Sequence, residues 1–197
     1  MYKRQINGNT IQPGEEWSFN TVVGPRTYEL GWKGANGISG GKEYTIQAGG
    51  GICQVSTTLY NALLCANMEI VDRRAHTIPS DYVPVGLDAT VDTRGIDFVW
   101  KNNTDMPAYI FARVEKVEGS SSRHTITVYV YGKPLPEGVT YQSRNEIIEE
   151  RSRQDEAIYT NDASIPTGYQ HERVQGHKYY VCLLYTSPSP RDAHESR

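Results

Sequence analysis

Apolar residues recur at helical spacing over one stretch of the chain. Ile52, Val55, Leu59, Ala62, Leu63 and Ala66 share a face, and Cys53, Thr57, Tyr60, Asn61 and Leu64 form the neighbouring stripe, which predicts a helix over about 52–67. Elsewhere the period is two. Trp17 and Phe19 alternate with Ser18, as do Ile96, Phe98 and Trp100 with Asp97, Val99 and Lys101, and both runs read as strands. Ala108–Val117 and His124–Tyr131 add two strands, and with 96–101 they suggest an antiparallel meander. Shorter strand candidates are 44–46, 68–74, 139–141 and 174–181, whereas 146–155 is charged enough to be a solvated strand or a helix. Asn7-Gly8 suits a hairpin turn, Pro13-Gly14 a type II turn, and 102–107 and 165–168 further turns. The glycine-dense stretch 24–43 reads as an irregular loop, and Pro79 and Pro84 keep 75–84 extended. The sum is a β-rich α+β domain of antiparallel sheet with one prominent helix that starts at the Gly49–Gln54 segment.

Composition narrows this picture in three ways. Fourteen tyrosines against three phenylalanines favour strands. A formal net charge of -3 gives no electrostatic case for nucleic acid or an anionic membrane surface, and no apolar run reaches the roughly 20 residues of a membrane span. Both ends look foreign: 1–5 and 182–197 resemble translated adaptor sequence, and no fold is expected from 182 onward. The expected organisation is a main domain over 6–135 and an extension, or the start of a further β module, over 136–181. Lys3 and Arg4 contribute +2 of the formal -3, so the body carries -5. With foreign ends the natural protein extends further both ways, and the lack of a visible signal segment says nothing about compartment.

The helix start also carries the candidate chemistry. Three glycines, Gly49, Gly50 and Gly51, run into Cys53. A helix N-terminus favours a thiolate, glycines admit a substrate backbone, and free amides there can hold an oxyanion. Gln54, Ser56 and Thr57 complete this candidate oxyanion and substrate loop. A small structural cysteine behind a glycine turn fits the same residues. Cys53 and Cys65 lie about 18 Å apart on one helix, beyond the ~7 Å that a disulfide spans. A thiol nucleophile needs a base and an orienting acceptor. His76, in the extended segment after the helix, is the best base, and Asp88 and Asp92 are acids close to it in sequence. His124 reads as a surface residue, and His171, His177 and His194 lie in the less defined end. Arg26, Lys33 and Arg94 sit in glycine-rich loops and could bind a carboxylate. No Gly-Lys-Ser/Thr follows the glycines, so they form no phosphate loop, and no ligand-spaced pair supports a metal site. No cofactor is expected.

The run Gly-Gly-Gly-Ile-Cys-Gln-Val-Ser-Thr-Thr-Leu-Tyr-Asn-Ala at 49–62 closely resembles the signature of the VanW family. Pro13-Gly14-Glu15, Gly24-Pro25-Arg26-Thr27, Arg74 with His76, Tyr82-Val83-Pro84, Asp88-Ala89-Thr90-Val91 and Lys101-Asn102-Asn103 fit the same family, over about 6–131. Trp17 and Thr77 stand where Phe and Ser are usual. The resemblance implies an extracytoplasmic, cell-wall-associated protein of mainly Gram-positive type, from a family named after glycopeptide (vancomycin) resistance clusters. It also implies an L,D-transpeptidase. Cys53 would attack the carbonyl after the third residue of a peptidoglycan stem peptide, and the acyl group would pass to a neighbouring stem as a 3→3 cross-link. Two alternatives stay open: a non-catalytic peptidoglycan- or glycopeptide-binding module, and a cysteine peptidase acting on stem peptides. The sequence leaves the oligomeric state undetermined.

Overall fold

The computed structural model describes residues 6–39, 43–120, 124–151 and 179–190. Its elements in order are β1 (Asn9–Ile11), β2 (Glu16–Ser18), α1 (Phe19–Val23), β3 (Gly34–Ser39), β4 (Glu43–Ala48), α2 (Ile52–Cys65), β5 (Glu69–Asp72), β6 (Val99–Lys101), β7 (Ala108–Lys116), β8 (His124–Tyr131), β9 (Val139–Arg151) and β10 (Tyr179–Pro190). They form two three-stranded sheets, β1-β7-β8 and β2-β6-β5, and two hairpins, β3-β4 and β9-β10. Every pairing is antiparallel. The architecture is thus α+β with one prominent helix, as the residue pattern predicts.

Helix α2 buries Ile52, Val55, Leu59 and Leu63 as the periodicity requires. It packs against β8 and β9, where Ile126, Val128 and Val130 join the core. Its end is set by a left-handed turn. Asn67 has φ 55°, and the Met68 and Asn67 amides donate to the Leu63 and Leu64 carbonyls. This is a Schellman motif, and buried Met68 and Leu63 supply its usual apolar contact. Across the second sheet Trp17 pairs with Trp100 in register, and Phe19 meets Trp17 edge-on at 6.0 Å. Phe98 meets Tyr60 of α2 at 5.7 Å, so this aromatic layer joins sheet to helix.

Several expectations give way to tertiary structure. Phe19 opens helix α1 instead of continuing a strand, because Ser18 caps that helix by accepting from the Thr21 amide. The Asp97 carboxylate accepts from Ser18 Oγ and the Asn20 amide, which takes 96–98 out of strand pairing and leaves β6 with three residues. β6 lies between β2 and β5, not beside β7, so the expected meander reduces to the β7-β8 hairpin. The glycine-dense loop contains a real hairpin. Gly34 pairs with Ala48 and Gly37 with Thr45, and Gly37 has the Gln47 side chain where a Cβ would go. The Asn7-Gly8 turn joins no hairpin and docks on β7: Gly8 donates to the Ile110 carbonyl and Asn7 Oδ1 accepts from the Ala112 amide.

Residues 146–151 are strand, the solvated-strand alternative, and the segment from 182, expected to be unfolded, pairs with β9 as far as Pro190. Its Leu183–Thr186 run is rich in strand-forming residues, and β9 offers a long ladder with one bulge beside Cys182. Residues 152–155, the 165–168 turn and 174–178 lie outside the described residues.

Asn102 ties the turns together and is wholly buried. Its Nδ2 donates to the Ile11 and Met106 carbonyls, its Oδ1 accepts from the amide and hydroxyl of Thr104, and its backbone exchanges hydrogen bonds with Gly14 and Glu15. Asn102→Ala would leave the Ile11 carbonyl buried without its donor and cut three part-buried bonds. A loss of about 1–3 kcal/mol is expected, read as a lower urea midpoint with an unchanged slope.

Candidate active site

The approach to α2 is a tight glycine turn. Gly49 and Gly51 have φ of 74° and 82°, the left-handed region that only glycine enters freely. A Cβ on Gly50 would lie 2.0 Å from the Ala35 carbonyl oxygen, so the foot of the β3-β4 hairpin stands directly on it. The turn uses most of its own amides. Gly49, Gly50, Ile52 and Gln54 donate to the carbonyls of Lys33, Gln47, Gly49 and Gly51. Among the described residues, the Gly51 and Cys53 amides make no such backbone bond. The expected oxyanion donors of the 51–54 stretch therefore narrow to these two.

Cys53 is the second residue of α2, partly buried, and its Sγ donates to the Val91 carbonyl at 3.4 Å. That carbonyl belongs to a segment laid along the helix. Ser56 Oγ donates to the Ala89 carbonyl at 2.6 Å, Thr57 Oγ1 accepts from the Ala89 amide at 2.9 Å, and Asn61 Nδ2 donates to the Leu87 carbonyl at 2.8 Å. Ser56 and Thr57, expected to belong to the substrate loop, are buried, and their hydroxyls hold this segment in place. Gln54 is exposed beside them.

The segment carries Asp88 to His76. Asp88 Oδ2 accepts from the His76 backbone amide at 2.6 Å and lies 2.5 Å from His76 Nδ1. Cys53 lies near enough to His76 for its side chain to favour the charged imidazolium. With Nδ1 on Asp88, Nε2 is the nitrogen left for the sulfur. The structure thus brings Cys53, His76 and Asp88 into one line. Asp92, the alternative acid, lies elsewhere, with Arg94 and the Ile96 amide. His124 opens β8 at the surface, and His171, His177 and His194 lie outside the described residues.

Burial alone would lower the imidazolium of His76. The hydrogen bond to Asp88, the nearness of Cys53 and the Asp88 charge raise it to about 9. Burial would raise Asp88, but the bonds from His76 and the charges of His76 and Arg73 hold it below the ordinary carboxylate range.

Two residues that the sequence did not mark complete the site. Arg73 donates to Asp88 Oδ1 at 3.0 Å and to the Asp88 and Gly86 carbonyls, while its guanidinium lies over the Tyr60 ring. Tyr82 meets the His76 ring edge-on at 6.3 Å. Tyr82 had a signal, in the Tyr-Val-Pro run. Arg73 had none. A cavity of about 230 Å³ opens beside His76 and Asp88, with Ala75, Pro79, Val85 and Tyr180 among its walls and Cys53 outside them.

The three candidate carboxylate binders separate. Lys33 is exposed, Arg94 is exposed and paired with Asp92, and Arg26 is buried under the glycine turn.

A family model described as "VanW like protein" matches residues 1–127. The chain is 44% identical over 126 residues to "Uncharacterized protein YoaR" of Bacillus subtilis (strain 168), which covers 64% of this chain and 40% of that protein. It is 31% identical over 123 residues to "Vancomycin B-type resistance protein VanW" of Enterococcus faecalis, which covers 59% of this chain and 44% of that one. The chain thus spans about two fifths of the length of these relatives. No solved structure matches.

A raised histidine pKa has a definite sign. The folded state holds the His76 proton more tightly than the unfolded chain, so its contribution is complete below about pH 6.5 and fades as pH rises through about 9. Denaturant unfolding at pH 6, 7.5 and 9.5 should show the protein losing on the order of 3 kcal/mol across that window. His76→Gln should be much flatter there.

Proposed function

The chain belongs to the VanW family, and we propose that it is a cysteine-dependent peptidoglycan acyltransferase of L,D-transpeptidase type. The observation that carries the reading is the Cys53–His76–Asp88 line at the first turn of α2. Asp88 is the group that orients the ring and stabilises its charged form. Asp88 and Cys53 favour the protonated ring, so His76 can hold the proton that Cys53 gives up as it attacks.

The Cys53 sulfur attacks the carbonyl after the third stem-peptide residue. The Gly51 and Cys53 amides face the developing oxyanion. Collapse breaks the C–N bond, and the His76 proton goes to the departing D-Ala amine, which leaves a thioester and a neutral imidazole. That imidazole takes a proton from the side-chain amine of a neighbouring stem as it attacks the thioester. The product is a 3→3 cross-link, and the sulfur leaves with the proton back between Cys53 and His76. With water in place of the amine, the same steps amount to a peptidase. A wall substrate accords with the resistance role in the printed name of the Enterococcus relative. It also calls for an extracytoplasmic location.

Incubation with disaccharide tetrapeptides, followed by mass spectrometry of the muropeptides, tests this. Wild type should release D-Ala and form cross-linked dimers. Cys53→Ala should form none, and His76→Gln should be slower by about 100- to 10,000-fold. Equal dimer yield from Cys53→Ala and wild type would sink nucleophilic catalysis. D-Ala release without dimers would point to hydrolysis.

A further inference from the structure

Arg26 is a buried cation with an unused donor. It is 7% exposed, Nη1 donates to Asn20 Oδ1 at 3.0 Å, and the buried Nη2 has no hydrogen-bond partner among the described residues. Nor does any described carboxylate form an ion pair with it. Asp97 and Asp92 are close enough for their charge to be felt, but both are engaged elsewhere. Asp97 accepts from Ser18, Asn20 and Phe98, and Asp92 accepts from Arg94 and Ile96. A desolvated guanidinium left in this state costs several kcal/mol.

Its position supplies the reason. The Arg26 side chain lies against Gly49, where a Cβ would come within 3.1 and 3.2 Å of it, so the glycine makes room for the arginine stem. Asn20, which holds Nη1, donates its own Nδ2 to the Asp92 carbonyl. The neighbouring carbonyl, Val91, accepts from the Cys53 thiol. Guanidinium and sulfur therefore flank one short piece of chain.

We propose that Arg26 binds the free α-carboxylate of the substrate's C-terminal residue, so that the site accepts peptides whose scissile bond precedes the last residue. The inference rests on the acyltransfer reading. In such a peptide the carboxylate lies one residue beyond the attacked carbonyl, a span of about 4 Å. A guanidinium fork with a vacant donor suits a carboxylate. The same charge offers nothing to a substrate that continues past that point or ends in an amide, so the arginine makes the site an exo-acting one.

The test uses the full chain with Cys53→Ala, which binds without turning over. The probes are a stem tetrapeptide ending in D-Ala and its C-terminal amide, titrated by calorimetry. The free acid should bind at least tenfold more tightly than the amide. Arg26→Gln should erase that difference by weakening only the acid, and Arg26→Lys should keep part of it. Equal binding of acid and amide by the parent, binding of neither, or an equal loss of both in Arg26→Gln would overturn the proposal. An equal loss would make Arg26 a partner of the thiol or of the fold. If Arg26→Gln does not fold, the acid-to-amide ratio of the parent and of Arg26→Lys decides. Failure of the acyltransfer reading shows separately: acid preference would persist in the binding assay while wild type forms no thioester with the tetrapeptide.

Discussion

Everything at this site depends on the attachment of residues 87–91 to the first turns of α2. Ser56 and Thr57 grip both backbone groups of Ala89, Asn61 grips Leu87, and Cys53 reaches Val91. The two bonds to Ala89 are buried, so water cannot replace them and losing either leaves a polar group stranded. They also set a distance. Asp88 sits between two anchored residues, and its carboxylate then holds His76 by side chain and backbone together. A chain segment from well outside the helix is thereby brought into register with a thiol on it.

Arg73 extends the same logic outward. It neutralises the second oxygen of Asp88 and ties the Gly86 and Asp88 carbonyls, so the acid meets a cation on one side and an imidazole on the other. The line from Tyr60 through Arg73, Asp88 and His76 to Cys53 begins in the aromatic core and ends at the sulfur. Its members are rigid because their far ends are packed.

The sequence was readable where one period dominates. Leu59 and Leu63 repeat at helical spacing and are fully buried, and the β7-β8 hairpin falls within a residue of its predicted ends. It was misread where a local pattern meets a distant partner. Phe19 alternates like a strand residue, yet Ser18 and Asp97 cap a helix there, and Asp97 is 79 residues from Ser18. Gly34 and Gly37 look like loop glycines until β4 is seen to need their small size. In the site, Cys53 announced itself by its glycines, and His76 by being the nearest histidine in an extended segment. Ser56 and Thr57 were placed in the substrate loop because they follow the cysteine. Their real partner, Ala89, is invisible without the fold. Arg73 is one charged residue among many at a strand end, and only the ion pair to Asp88 sets it apart.

The three thiols are all free, and they are not alike. Cys53 is half-buried and hydrogen-bonded at the head of α2, while Cys65 is exposed at its tail, with no glycine turn around it. In an oxidising medium the exposed thiol is the one that meets a second molecule. Two copies joined through Cys65 would hold their Cys53 sulfurs a helix length from the junction. Air oxidation would therefore change the apparent mass of the protein in solution well before it touched the chemistry at Cys53.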